Sequence, residues 1–339
     1  YLISENYIVQ MTSDKRGLQY LKNYKNLNIK TLPSSPLLKK NILKFVVSFL
    51  IIIFSILRSL IFLLFNRPSL VIGMGGYSSF PICIAASVLK VKYVIYENNL
   101  VLGKANKYLL PFAKKIFVSY KDLEGIIGSN REKVLETGNI IRKELINLKD
   151  NNYEIDKLDE LKILVLGGSQ AAKIFANELP QIFEKVKNSY STIKVFQQCQ
   201  KNQNDQLSQF YKKAKIDYEI FNFTDNIDEY YLKSNLVITR SGASVLAELI
   251  NVKIPFIAIP LPTSADNHQY KNAKFYEKKG YGYLLEEKDI KSKLYSLIES
   301  IFKNKSLVRD MLSNQQQYSD KKIFSNLNIL IRKIINEKN

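Results

Sequence analysis

Short runs of β-branched and aromatic residues alternate along the chain with segments whose apolar positions recur at helical spacing. The runs "YIVQMTS", "SLVIGM", "KYVIYE" and "KIFVSY" come first, then "KILVLGG", "IKVFQQC", "IDYEIFNF", "NLVIT" and "PFIAIPLP". Several are apolar at nearly every position rather than at every second one. Strands covered on both faces have that pattern, so the alternation predicts βαβ units and parallel sheets. Between the two groups "IIRKELINLKDNNYEIDKLDELK" is polar and shows no strand pattern. An interdomain linker is expected there, from Ile140 to Leu161. The predicted architecture is α/β, with two Rossmann-like doubly wound domains facing a central cleft at the carboxyl ends of their strands. Residues 1–140 are expected to form the first domain, 141–317 the second, and 318–339 a terminal helix packing back on the first.

One segment breaks the pattern: "NILKFVVSFLIIIFSILRSLIFLLFNRP", Asn41 to Pro68. Its apolar part reaches the length of about 20 residues that spans a bilayer as a helix. Ser48, Ser55, Arg58 and Ser59 interrupt it, and "SLVIGMGG", a core strand, follows at once. A span would put that strand across the membrane from the one before it. The favoured reading is an interfacial or partly buried helix with its outer face in the headgroup layer. A plain core helix comes next and a transmembrane helix last. The chain opens on Tyr1, and "YLISENYIVQMTS" reads as the tail of a helix running into a strand. A missing amino-terminal part is therefore expected.

The length of 339 residues suffices for two cores, and 46% apolar with 24% charged residues suits a globular protein. The net charge of +19 favours anionic partners: nucleic acid, acidic headgroups or phosphorylated substrates. No stacking platform or recognition motif accompanies the charge, which argues against nucleic acid. Cys83 and Cys199 are the only cysteines. They give neither a disulfide framework nor metal-ligand spacing and suit a reducing cytoplasm, so no structural zinc site is expected, and no motif here asks for a metal or cofactor.

The candidate chemistry sits where strands end. "GGSQAAK" follows "KILVL" and opens a helix, a turn whose amides and helix terminus favour phosphate. "GMGGYSSFP" has Ser78 where a dinucleotide fingerprint has its third glycine. It reads equally as a ligand loop or as a bare strand-to-helix turn, and in either case Tyr77 and Ser78 are expected to face the cleft. Asn99 in "YENNLVLGKANKY" offers a donor and an acceptor to a sugar, although strand-end asparagines commonly form turns. Arg142 in "TGNIIRKEL" has the planar fork that grips a diphosphate, or is simply solvated. In "ITRSGASVLAEL" the turn can hold a diphosphate and Glu248 can accept from vicinal ribose hydroxyls. The competing reading makes Ser244 an N-cap and Glu248 a surface charge. In "DNHQYKNA", Gln269 suits sugar hydroxyls, and His268, the one histidine, is a capping residue or a weak candidate for a base.

As an ordered set, "GMGGYSSFP", "YENNLVLGKANKYLLPFAKKIF", "TGNIIRKE", "LVLGGSQAAK", "TRSGASVLAELINVKIPFIAIPLP" and "DNHQYKNA" resemble the motifs of the MurG family over nearly the whole chain. The resemblance implies a GT-B glycosyltransferase: inverting, metal-independent transfer of N-acetylglucosamine from UDP-N-acetylglucosamine to the 4-hydroxyl of an undecaprenyl-linked muramoyl pentapeptide. The enzyme would sit peripherally on the cytoplasmic face of the bacterial inner membrane, an anionic surface. By the same resemblance the donor is held by Asn99, Arg142, Ser169, Thr224, the turn and helix of Ala243, Ser244, Val245, Leu246, Ala247 and Glu248, and Gln269. Gly75, Gly76, Tyr77 and Ser78 fall on the acceptor side.

Departures from the family pattern accompany the match. The family's first glycine-rich loop, ending in a histidine, would lie ahead of Tyr1, which leaves the catalytic base unassigned. Ala171 stands at a usual glycine, Ile140 at a proline, Tyr96 at a histidine, Thr224 at an aliphatic residue and Asn98 at a glutamine. Two other functions remain open: a GT-B transferase with another lipid acceptor such as diacylglycerol, and a non-catalytic protein that binds nucleotide sugar or membrane.

Overall fold

The computed structural model describes residues 1–21, 27–35, 42–146, 148, 160–189 and 192–337. The chain forms two compact units, Tyr1–Asn139 with Lys322–Asn339, and Ile140–Lys321.

The first unit runs β1 (Gln10–Ser13), α1 (Lys15–Leu21), β2 (Asn28–Thr31), α2 (Ile42–Asn66), β3 (Val71–Gly73), α3 (Gly76–Val88), β4 (Tyr93–Glu97), α4 (Lys104–Leu109), β5 (Lys115–Val118) and β6 (Val134–Glu136). Strands β3-β4-β5-β6 form a parallel sheet in that order, and β1 and β2 form a separate parallel pair. All five residues of β4 are buried, the apolar residues 93–96 and the closing Glu97 alike. Gly73 ends β3 where an added Cβ would meet Cys83 Sγ of α3 at 2.6 Å, so glycine there permits the close approach of strand and helix.

Helix α2 departs from an ordinary amphipathic pattern. Its buried residues are Ser48, Ser55, Ser59 and Leu63, while Val46, Val47, Phe49, Leu50, Phe54, Leu57, Ile61 and Leu64 are exposed. Small side chains face inward because α2 lies against α3, with Ala85 and Ala86 fully buried in the shared core. Helices approach closely where residues are small. The Ser59 hydroxyl is satisfied within the helix by the Ser55 carbonyl at 2.7 Å, and Ser48 accepts from the Ser35 hydroxyl at 2.9 Å. Among the described residues α2 is the one helix long and apolar enough to cross a membrane, by length and composition.

The second unit runs α5 (Lys143–Ile146), β7 (Glu160–Leu166), α6 (Gly168–Ser189), β8 (Thr192–Gln198), α7 (Asn204–Lys213), β9 (Asp217–Phe221), α8 (Ile227–Lys233), β10 (Leu236–Thr239), α9 (Ala243–Val252), β11 (Phe256–Ala258), α10 (His268–Lys278), β12 (Tyr283–Leu284), α11 (Ile290–Lys303) and α12 (Lys305–Gln316). Its six parallel strands are ordered β9-β8-β7-β10-β11-β12. This is the doubly wound order in which the chain leaves its first strand in both directions. The final helix α13 (Ile323–Asn336) belongs to the first unit. There the Tyr7 hydroxyl donates to Asn328 at 2.9 Å and Lys92 reaches the carbonyls of Ile334 and Ile335 at 3.2 and 3.1 Å.

Three strands escaped the pattern: β2, β6 and β12 have four, three and two residues and are half exposed, too short to print a period. The expected linker is also corrected at both ends. Lys143–Ile146 is helical, with Ile141 and Leu145 buried, and Glu160 and Leu161 pair with Thr192 and Ile193 inside the sheet. The intervening 147 and 149–159 lie outside the described residues.

Candidate active site

In the second unit Thr239 of β10 is the register partner of Leu166 of β7. These neighbours are the strands at which the winding direction reverses, so the turns beyond them frame the crevice where doubly wound sheets take ligands. One turn, Gly167–Gly168, starts the 22-residue α6; the other, Ser241–Gly242, starts the ten-residue α9. Gly168 has φ +62°, in the left-handed region, and its amide donates to Gln198 Oε1 at 3.3 Å. Arg240 secures the second turn: it donates to the carbonyls of Ile259 and Pro260 at 3.2 and 2.9 Å, pairs with Glu287, and lies 4.8 Å above the Phe175 ring.

A cavity of about 450 Å³ opens at these turns, the size range of small-molecule sites. Arg142, Gly167, Gly168, Thr224, Ser244, Val245, Glu248 and Gln269 line it. The structure thus gathers most of the donor residues named from sequence: Arg142 just ahead of α5, Thr224 ahead of α8, Ser244, Val245 and Glu248 of α9, and Gln269 of α10. It turns Ala243, Leu246 and Ala247 of the same stretch into the core, at 6%, 0% and 0% exposure. Ser169 lies in the first turn of α6, and its side chain is outside the described residues. Ser244 is not the N-cap, a place taken by Gly242.

Glu248 carries the electrostatic tension of the pocket. It is 8% exposed, so it is not a surface charge. Burial raises its pKa above the ordinary carboxyl value, opposed by the Arg142 charge and by a hydrogen bond from Tyr231. The Tyr231 hydroxyl donates to Oε2 at 2.9 Å, and Arg142 Nε lies 3.4 Å from Oε1. Arg142 remains half exposed, and the short helix α5 that follows it packs on α9, the helix that bears Glu248.

Phe221, Phe223, Thr224 and Ile227 give the pocket a largely apolar stretch of wall. The Thr224 hydroxyl accepts from the Asn226 amide at 3.0 Å, a local turn that an aliphatic residue would not close. Gln269, which lines the cavity, accepts from the Leu261 amide on Oε1 at 2.9 Å, a bond that fixes the carboxamide. His268 stands at the start of α10 after two left-handed residues, Asp266 and Asn267. Its Nδ1 is 2.7 Å from the Ala265 carbonyl, an acceptor only, so Nδ1 carries the proton in the neutral ring.

The remaining named residues belong to the first unit. Gly75 and Gly76 have φ of +83° and +73° at the start of α3, with Tyr77 exposed and Ser78 half-buried in its first turn. Asn99 donates to Glu97 Oε1 through Nδ2 at 2.9 Å. Glu97, 4% exposed, also accepts from the Gly103 amide at 2.9 Å and from Asn106 at 3.0 Å on Oε2. Sequence reasoning missed this carboxylate, although an acid closing a fully buried strand was the available signal. It also missed Tyr231, whose fourfold spacing from Ile227 on α8 reads as core.

Against known proteins, the glycosyltransferase family 28 N-terminal domain matches residues 1–118 and the family's C-terminal domain matches 162–327. A curated relative from Pelagibacter ubique, named UDP-N-acetylglucosamine–N-acetylmuramyl-(pentapeptide) pyrophosphoryl-undecaprenol N-acetylglucosamine transferase, is 35% identical over 99% of this chain and 93% of its own. The chain belongs to the MurG family, within glycosyltransferase family 28. The fold of this MurG-family chain is likewise that of MurG from Acinetobacter baumannii, with TM-score 0.76 at 21% identity over 98% of this chain and 92% of that one. A Staphylococcus aureus MnaA–UDP structure shares the architecture, with TM-score 0.64 at 16% identity over 97% and 98% of the two chains. Both units are Rossmann-like parallel-sheet domains of a GT-B glycosyltransferase.

Proposed function

We propose that the protein transfers N-acetylglucosamine from UDP-N-acetylglucosamine to an undecaprenyl-diphosphate-linked N-acetylmuramyl pentapeptide. One observation carries the donor half of this reading: a guanidinium, a buried carboxylate and two helix N-termini converge on a cavity at the switch point between β7 and β10. As the glycosidic bond breaks, negative charge grows on the leaving diphosphate. Arg142 and the amides at the starts of α6 and α9 are donors placed for that charge. Glu248 accepts from the ribose hydroxyls, the wall around Thr224 takes the base, and the Gln269 NH2 donates to the sugar. The acceptor half rests on the name of the relatives. Assaying UDP release with the lipid-linked muramyl pentapeptide and with diacylglycerol separates the two lipid acceptors. Release with the first alone is expected, release with the second alone overturns the acceptor, and release with neither favours a non-catalytic binding protein.

The reading extends to the membrane. The exposed apolar face of α2 and a net charge of +19 suit the headgroup layer of an anionic bilayer on the cytoplasmic side. Leu57→Asp with Ile61→Asp is expected to weaken co-sedimentation with anionic vesicles by about tenfold or more while leaving Tm nearly unchanged. Ser55→Leu, on the opposite face, is expected to lower stability by about 1–3 kcal/mol, read by thermal unfolding. Vesicle binding unaltered by the double aspartate variant refutes the assignment of this face.

A further inference from the structure

We infer that Tyr231 is a positioning residue for ribose recognition: its hydroxyl holds one oxygen of Glu248 so that the other is aimed at the nucleotide's vicinal hydroxyls. The inference rests on the donor-site reading above and deepens it.

Tyr231 is 1% exposed, on α8, and lines the same cavity as Glu248 and Arg142. A phenol has a single proton to give, and at 2.9 Å it goes to Oε2 of Glu248. Oε1 is left on the side of Arg142, 3.4 Å from its Nε, at the half-exposed edge of the pocket. The terminal torsion of a glutamate is broad and roughly twofold, so a buried carboxylate without such an anchor samples orientations in which neither oxygen faces a ligand. Two features make the anchor more than packing. With the Arg142 charge, the hydroxyl's hydrogen bond opposes the burial that raises the carboxyl's pKa, and the ionised form they favour is an acceptor on both oxygens. The helix that bears Tyr231, α8, lies between β9 and β10 in the chain and ahead of α9, so the anchor comes from a separate element and holds Glu248 from outside α9.

A purely structural tyrosine would affect all ligands alike, and the test exploits this. Calorimetry measures dissociation constants for UDP, 2′-deoxy-UDP and 3′-deoxy-UDP with the wild-type chain and with Tyr231→Phe. The wild type is expected to bind each deoxynucleotide about tenfold or more weakly than UDP, as befits a hydrogen bond to a charged group. In Y231F that penalty is expected to shrink several-fold, with the deoxynucleotides bound nearly as in the wild type. A Y231F protein that keeps the full penalty, or weakens all three ligands by one common factor, overturns the inference. A wild-type protein that makes no distinction between UDP and its deoxy forms instead overturns the ribose role of Glu248 itself. Should Y231F fail to fold by circular dichroism, Tyr231→Met removes the same donor and is read by the same ratios.

Discussion

Arg142→Met is expected to lower kcat for sugar transfer by about 10²–10³-fold, the cost of removing one donor aimed at developing charge. The side chain is well placed for that effect to be functional rather than structural. Its guanidinium is half exposed at the cavity rim, whereas Ile141 and Leu145 on either side anchor the segment in the core. Methionine keeps the length of the stem, so the α5 backbone has no reason to move. Lysine at 142 retains the charge and loses the planar fork, and an intermediate rate is expected from Arg142→Lys. Steady-state kinetics separate two roles. A fall in kcat and kcat/KM together marks stabilisation of the leaving diphosphate in the transition state, whereas a rise in KM alone marks uniform binding. A variant within about threefold of the wild type in both constants would remove Arg142 from the mechanism.

The order of elements was legible wherever burial was complete. Strands β4 and β10 are buried at every position, and such runs announce themselves without an alternating pattern. Strands β2 and β12 could not be read, because four and two half-exposed residues carry no period. In α2 the length was legible and the buried face was not. Its inward residues, Ser48, Ser55 and Ser59, are chosen for size where α3 approaches, and a hydrophobicity pattern is blind to size. The donor pocket was legible where glycine-rich turns end strands, which located Gly168, Ser244 and Glu248. Tyr231 and Glu97 were not, since a tyrosine in a helix and a glutamate closing a strand look like core and surface until their hydrogen bonds are seen.

Glu248→Gln is expected to act in opposite directions on two properties, raising Tm at pH 8 and weakening UDP binding by about 10–100-fold, the loss of hydrogen bonds to a charged acceptor. The carboxyl's pKa in the folded chain is raised by burial above its value of 4.5 in the unfolded one. Across the window between those two values the folded state holds more protons than the unfolded state, so stability falls as pH rises through it. Above the window the folded state bears the full cost of an ionised, buried carboxylate. Glutamine carries no charge to bury, and its carbonyl still accepts from Tyr231, so that cost disappears and Tm rises. Nucleotide binding runs the other way, because the ribose hydroxyls require the acceptor-only, ionised form. In the wild type, affinity for UDP should rise with pH through the raised pKa of Glu248, and the difference between wild type and E248Q, in which the phosphate's own titration cancels, should show the same rise. Melting curves and calorimetry on both proteins from pH 5 to pH 8 supply the comparison. An E248Q protein less stable than the wild type at pH 8 would mean that Glu248 is held for the fold rather than for a ligand. Unchanged UDP affinity would show that the ribose finds its acceptor elsewhere.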